Sequence, residues 1–160
     1  MNHFKFVYVA QKMNKEMKKI YDQAVLFHGH PGVFLAIGIR MGLLALKYLD
    51  SKGHFELEAF IQTRERPPYR CLLDGIQFST GCTIGKGNLK IKFSDNGDIF
   101  GLFKTQSGKK LEIKVLSAFL EHKKKQIKGM DRFKMDDVVK QVLQMDEKEI
   151  FRVFTPKSRS

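Results

Sequence analysis

The chain has 160 residues, 42% hydrophobic and 29% charged, which suits a folded globular domain and excludes a largely disordered one. Its 29 Lys and Arg against 17 Asp and Glu give a net charge of +12, so any electrostatically attracted partner is expected to be anionic. The two cysteines, Cys71 and Cys82, are too few for a secreted disulfide framework and are expected as free thiols or metal ligands in a reducing compartment.

Residues 1–10 alternate Phe4, Phe6 and Tyr8 with Val7 and Val9, but lack the apolar core and small-residue cleavage site of a signal peptide. The longest apolar run, 33–46, is broken by Arg40 and falls short of the ~20 residues that span a bilayer. The expectation is a cytoplasmic protein without a membrane partner. Residues 1–155 are expected to form one domain, with a frayed polar tail at 156–160.

Asn14 is placed to cap a first helix whose apolar stripe runs through Met17, Ile20, Tyr21, Ala24, Val25 and Phe27. It ends at His28-Gly29. Pro31 then suits the first turn of a second helix to Leu49, apolar nearly all round and therefore predicted as the buried centre of the fold. Gly38 and Gly42, four apart, permit another backbone to approach closely. Arg40 is costly on such a helix unless it snorkels at an end or meets a carboxylate such as Asp74.

A strand is predicted over 54–61, then a helix over 69–79 that sets Cys71, Asp74 and Gln77 near one face. Strands at 88–93, 99–104 and 110–115, separated by Asp95-Asn96-Gly97-Asp98 and Ser107-Gly108, read as an antiparallel meander. Helices follow at 116–128, 136–144 and 147–151. The order indicates an α+β domain with a mostly antiparallel sheet packed on helices.

Two glycine corners carry the chemistry, Phe27-His28-Gly29-His30-Pro31-Gly32 and Ser79-Thr80-Gly81-Cys82-Thr83-Ile84-Gly85-Lys86-Gly87-Asn88. Two imidazoles with one residue between them cannot share a helix face, yet around a turn they can converge on an ion. The alternative is an ordinary cap, with His28 beside the negative end of its helix. The second corner is not a phosphate loop. Gly81 and Gly85 are separated by three residues, whereas a Walker A loop needs four followed by Gly-Lys and Ser or Thr.

His28, His30, Cys71 and Cys82 together offer two nitrogens and two thiolates, a set suited to zinc, with iron or nickel also accommodated. Asp74 is then expected to orient a ligand imidazole. Lys86 is expected to face an anionic substrate or to lower a thiol pKa.

The motifs Phe27-His28-Gly29-His30, Gly38-Ile39-Arg40, Cys71-Leu72-Leu73-Asp74-Gly75-Ile76-Gln77 and Thr80 to Asn88 resemble the FmdE family of formylmethanofuran dehydrogenase proteins. The resemblance spans roughly residues 14–115, and 147–153 is similar to the end of that family's core domain. It implies an α+β core, often a homodimer, with a metal-binding cleft built from the histidine corner and the cysteines. It also implies work in or beside a molybdopterin- or tungsten-dependent one-carbon redox system. Gly32 stands where many members have a Cys in H-G-H-x-C-P-G. With no Cys after Cys82, the cysteine-rich zinc module that many members carry at the C-terminus is not expected.

Two other readings remain beside this one. An open metal position would activate water against a small anionic substrate, or Cys82 near Lys86 would act as a thiolate nucleophile, with Asp74 in the same catalytic set. Alternatively, the basic chain is a nucleic-acid or protein interaction module, or binds polyanions nonspecifically.

Overall fold

The structure, a computed structural model, describes residues 3–156, with side chains described from Lys15 onward. Helices α1 (His3–His28) and α2 (Val33–Leu49) precede strand β1 (Leu57–Thr63), helix α3 (Cys71–Thr80) and strands β2 (Leu89–Phe93), β3 (Phe100–Thr105) and β4 (Lys110–Val115). Helices α4 (Ser117–Ile127), α5 (Arg132–Gln144) and α6 (Glu147–Ile150) and strand β5 (Phe151–Phe154) complete the order. This is the α+β class expected from the sequence. Residues 157–160 of the expected tail lie outside the described residues.

The apolar run of α2, broken only by Arg40 until Lys47, makes it the helix around which the others pack. Phe34, Leu35, Ile37, Ile39 and Met41 are almost completely buried, each having a side of the helix against another element. The helix starts at Val33 rather than Pro31 because Gly32 is extended, with φ −174° and ψ 150°, and caps the first turn through its carbonyl to the Ala36 amide at 3.2 Å. Helix α1 starts well before the Asn14 cap expected from the sequence.

Strands β1, β3 and β4 alternate buried and outward residues, so one face of the sheet enters the core. The strand order is β2-β1-β3-β4-β5. The predicted meander is corrected at its first strand: β2 lies parallel to β1, Ala59 opposite Leu89 and Thr63 opposite Phe93, and does not pair with β3. Helix α3 is the crossover that a parallel neighbour requires. The β3–β4 hairpin holds as read, and β5 adds an antiparallel edge with Phe151 opposite Val115. The sequence does not announce that last strand, because four residues following a helical turn are too short a pattern to separate from the helix.

Arg40 does not reach Asp74. Its Nη1 donates to the carbonyls of Val142, Leu143 and Met145 at 2.8, 3.1 and 2.7 Å. The last carbonyls of a helix have no partner inside it and sit at its negative end, so the end of α5 receives the half-buried guanidinium. Burial pushes the Arg40 pKa down, while the nearby Glu147 and Asp146 oppose the shift.

Helices α2 and α3 meet backbone to backbone. A methyl group added at Gly38 would overlap the Leu72 carbonyl, and one at Gly75 would lie 2.7 Å from the Ile39 amide nitrogen and 3.0 Å from the Gly38 carbonyl carbon. The glycines thereby fix where α3 sits relative to the corner that joins α1 to α2.

Candidate metal centre

His28 is the last residue of α1, and Gly29 turns the chain with φ 96° while its amide closes on the Val25 carbonyl at 2.7 Å. A side chain at that φ is strained, which suits the position to glycine. Tyr21, two helical turns before His28 on the same side of α1, receives a 2.9 Å hydrogen bond from the Gly32 amide. This contact ties the corner back onto its own helix. Burial raises the Tyr21 pKa to about 12, so the hydroxyl is neutral across the physiological range.

Cys71 opens α3, with Asp74 one turn later. The ligand atoms of His28, His30 and Cys71 all lie within 4.8 Å of one another. The two imidazole rings are 4.2 Å apart at 55°. His28 is held from the far side: its Nδ1 and Asp74 Oδ2 are 2.5 Å apart, while Gln77 donates to the other carboxylate oxygen at 3.4 Å. A neutral imidazole donating from Nδ1 presents Nε2 as a lone pair. That Nε2 is buried and has no hydrogen-bond partner among the described residues.

His30 Nδ1 lies 3.0 Å from the Pro31 carbonyl, which likewise accepts from Nδ1 and leaves the other nitrogen available. The Cys71 thiol has its pKa raised, by burial first and by the Asp74 charge second. A cation at this position would reverse the balance, because a coordinated thiol loses its proton. Two imidazoles, one thiol and an Asp behind one imidazole fit a borderline-soft divalent ion with a fourth position left open.

The structure does not bring Cys82 to this cluster, although the sequence places it beside the other three residues. It is fully buried, with its Sγ 3.4 Å from the Leu57 carbonyl and its amide donating to Thr80 Oγ1 at 3.0 Å. Burial raises its pKa more than Thr80 and Lys86 lower it, the opposite of an activated nucleophile. The loop of the second corner points Lys86 back onto its own backbone: Nζ donates to the Gly81 carbonyl at 2.9 Å and lies 6.0 Å from the Phe55 ring centre. Asp74 stands where the sequence placed it, beside an imidazole.

Sequence reasoning misses Tyr21 as a support of the corner, reading it only as part of the apolar stripe. Its position seven residues before His28 is the available signal.

The helix pair, the open sheet and the His-His-Cys corner define an α+β domain with a site fit for a metal. The family described as "FmdE, Molybdenum formylmethanofuran dehydrogenase operon" matches residues 27–152. The chain belongs to this family, and is thereby related to the FmdE component of formylmethanofuran dehydrogenase. A probable S-adenosyl-L-methionine-binding protein of Archaeoglobus fulgidus is 32% identical over 81 residues, 46% of this chain. The chain spans only 20% of the length of that relative. No described helix is long and apolar enough to cross a membrane.

Proposed function

We propose that this chain is a metal-binding domain of the FmdE type, accessory to a molybdenum- or tungsten-dependent one-carbon redox enzyme, with His28, His30 and Cys71 as its ligands. The observation that carries the reading is the buried Nε2 of His28, without a hydrogen-bond partner among the described residues and clustered with two further donors, while Asp74 fixes the ring from behind. A buried polar atom without a partner is costly, on the order of 1–3 kcal/mol, and a cation would remove that cost. Zinc suits the donor set best, with iron and nickel also compatible.

When bound, such an ion supplies Lewis acidity at its open position. The protein residues have separate tasks. Asp74 holds the His28 tautomer, Tyr21 holds the turn, and Gly38 and Gly75 hold Cys71 at its distance. The family name, with its reference to a dehydrogenase operon, supports an association with the other components of such an enzyme, and a homodimer in the cytoplasm is part of the same reading.

The test is elemental analysis of the purified protein beside His28→Ala, His30→Ala and Cys71→Ser. Near-stoichiometric metal in the parent and its loss in the variants is the expected result. Undiminished metal in all three folded variants would overturn the ligand set.

A further inference from the structure

The sheet has a second face, and no described helix covers it. Outward residues align across all five strands: Phe60 stands opposite Lys90 and Leu102, and Leu102 opposite Glu112, which faces Phe154. The neighbouring row sets Phe100 beside Gln62 and Lys114, with Arg152 beyond. Phe60 and Phe100 have ring centres 6.5 Å apart, tilted by 38°. Leu102 and Phe154 are 40% and 43% exposed, values that mark this surface as open rather than packed.

Charge surrounds this apolar strip. Lys114 is paired with Asp98 at 2.8 Å. Lys90, Lys92, Lys104, Lys110 and Arg152 lie on the same face without an ion pair among the described residues, against only Glu58 and Glu112. Toward one end, Phe60, Leu102, Lys90, Lys104 and Lys110 line a groove of about 310 Å³, a size that admits a small planar ring system.

We propose that this open face binds single-stranded nucleic acid, with bases stacked on the Phe60–Phe100 strip and phosphates on the surrounding lysines. Charge complementarity selects this occupant. A second copy of the chain docked face to face would bring two sets of unpaired lysines together, and a duplex would engage the lysines but leave the aromatic rings unused. An unstacked strand alone offers regularly spaced negative charge and flat π-faces to one surface. The alternating pleat presents the rings at the centre and the long lysines at their sides. This inference is independent of the metal site, which lies on the helical side of the molecule at the α1–α2 corner.

The experiment is fluorescence anisotropy with a labelled single-stranded RNA of about 12 nucleotides, its duplex form and heparin, in about 150 mM salt. The single strand is expected to bind more tightly than the duplex. Phe60→Leu, which keeps apolar bulk but removes the ring, is expected to weaken single-strand binding by about tenfold while leaving heparin binding unchanged. Lys104→Glu with Lys110→Glu is expected to weaken both. Circular dichroism checks that each variant is folded. Equal binding of single strand and duplex, lost together as salt rises, would reduce the face to nonspecific charge and overturn the proposal. So would a folded Phe60→Leu that binds the single strand as the parent does. A dimer that Leu102→Asp splits would instead assign the face to a second copy.

Discussion

Gly38→Ala tests whether helix packing sets the proposed metal centre. The new methyl carbon would overlap the Leu72 carbonyl oxygen, with the carbonyl carbon at 2.9 Å and the Gly75 Cα at 3.1 Å. Ordinary carbon–carbon contact begins near ~3.5 Å, so α3 must withdraw by roughly 0.6–1 Å. No rotamer change relieves the clash, because the opposing atoms are backbone. Overpacking of this kind costs about 3 kcal/mol at its upper range, and the better helix propensity of Ala returns about 1, for a net loss of about 2 kcal/mol. Cys71 rides on α3 while His28 and His30 ride on the α1–α2 corner. Ligand distances tolerate only about 0.2 Å, so a shift this large should lower metal content as well as stability. Gly42→Ala is the comparison: its methyl meets the Ser79 hydroxyl, Thr80 Cγ2 at 2.8 Å and Ser79 Cβ at 3.1 Å, so it presses on side chains at the end of α3 rather than on the backbone beside Cys71. Urea unfolding and metal analysis of the two variants provide the assay. If Gly38→Ala unfolds within about 0.5 kcal/mol of the parent and retains its metal, the packing does not govern the site.

Asp74→Asn should keep the fold but weaken metal affinity by about 10–100-fold in a chelator competition, since the amide no longer favours the His28 tautomer that frees Nε2. Cys82→Ser should leave metal stoichiometry unchanged and cost about 1 kcal/mol of stability; loss of metal in this variant would return Cys82 to the ligand set. Tyr21 predicts an alkaline limit. Its pKa is about 12 in the fold against 10.0 for the ordinary side chain, so between these values the unfolded chain loses a proton that the folded chain keeps. Stability should therefore fall as pH rises from about 10 to 12, and Tyr21→Phe should flatten that part of the profile in alkaline unfolding followed by circular dichroism.

The helical half of the fold is more legible in the sequence than the sheet. The apolar run after Pro31 identifies the central helix because burial on every side leaves no polar stripe, and turn residues at Asn96-Gly97 and Ser107-Gly108 bound β3 correctly. Pairing partners are less legible: local turns argue for β2 beside β3, whereas α3 carries the chain across to a parallel position on the far side of β1. Arg40 shows the same limit. Its need for a partner is readable from the helix, but the partner is a set of backbone carbonyls about a hundred positions later, which no residue type announces. At the site, His28, His30 and Asp74 follow from the turn and the three-residue spacing. Choosing between Cys71 and Cys82 requires the packing, since both open or follow the same helix and only one end faces the α1–α2 corner.

The resemblance to the family places a thiolate where this chain has Gly32, and the geometry makes that difference testable by restoration. Gly32 is extended with φ −174°, a conformation any residue adopts, and an added methyl carbon would stand 3.8 Å from His30 Nδ1 and 3.9 Å from its Cε1. These are ordinary contacts. Gly32→Cys should therefore fold and bring a second sulfur to the edge of the His28–His30–Cys71 cluster. Four-ligand zinc sites gather about 10–16 kcal/mol, or about 2.5–4 per ligand, so even a fraction of one ligand's share should tighten metal binding by about tenfold or more. A fourth protein ligand would also close the open position, converting a site able to accept a further molecule into a structural one. Cobalt substitution reads both effects, because thiolate-to-metal absorption grows with each sulfur bound. An unchanged spectrum and unchanged affinity in folded Gly32→Cys would mean that the ion lies away from the turn, and the three-donor site would then be misplaced.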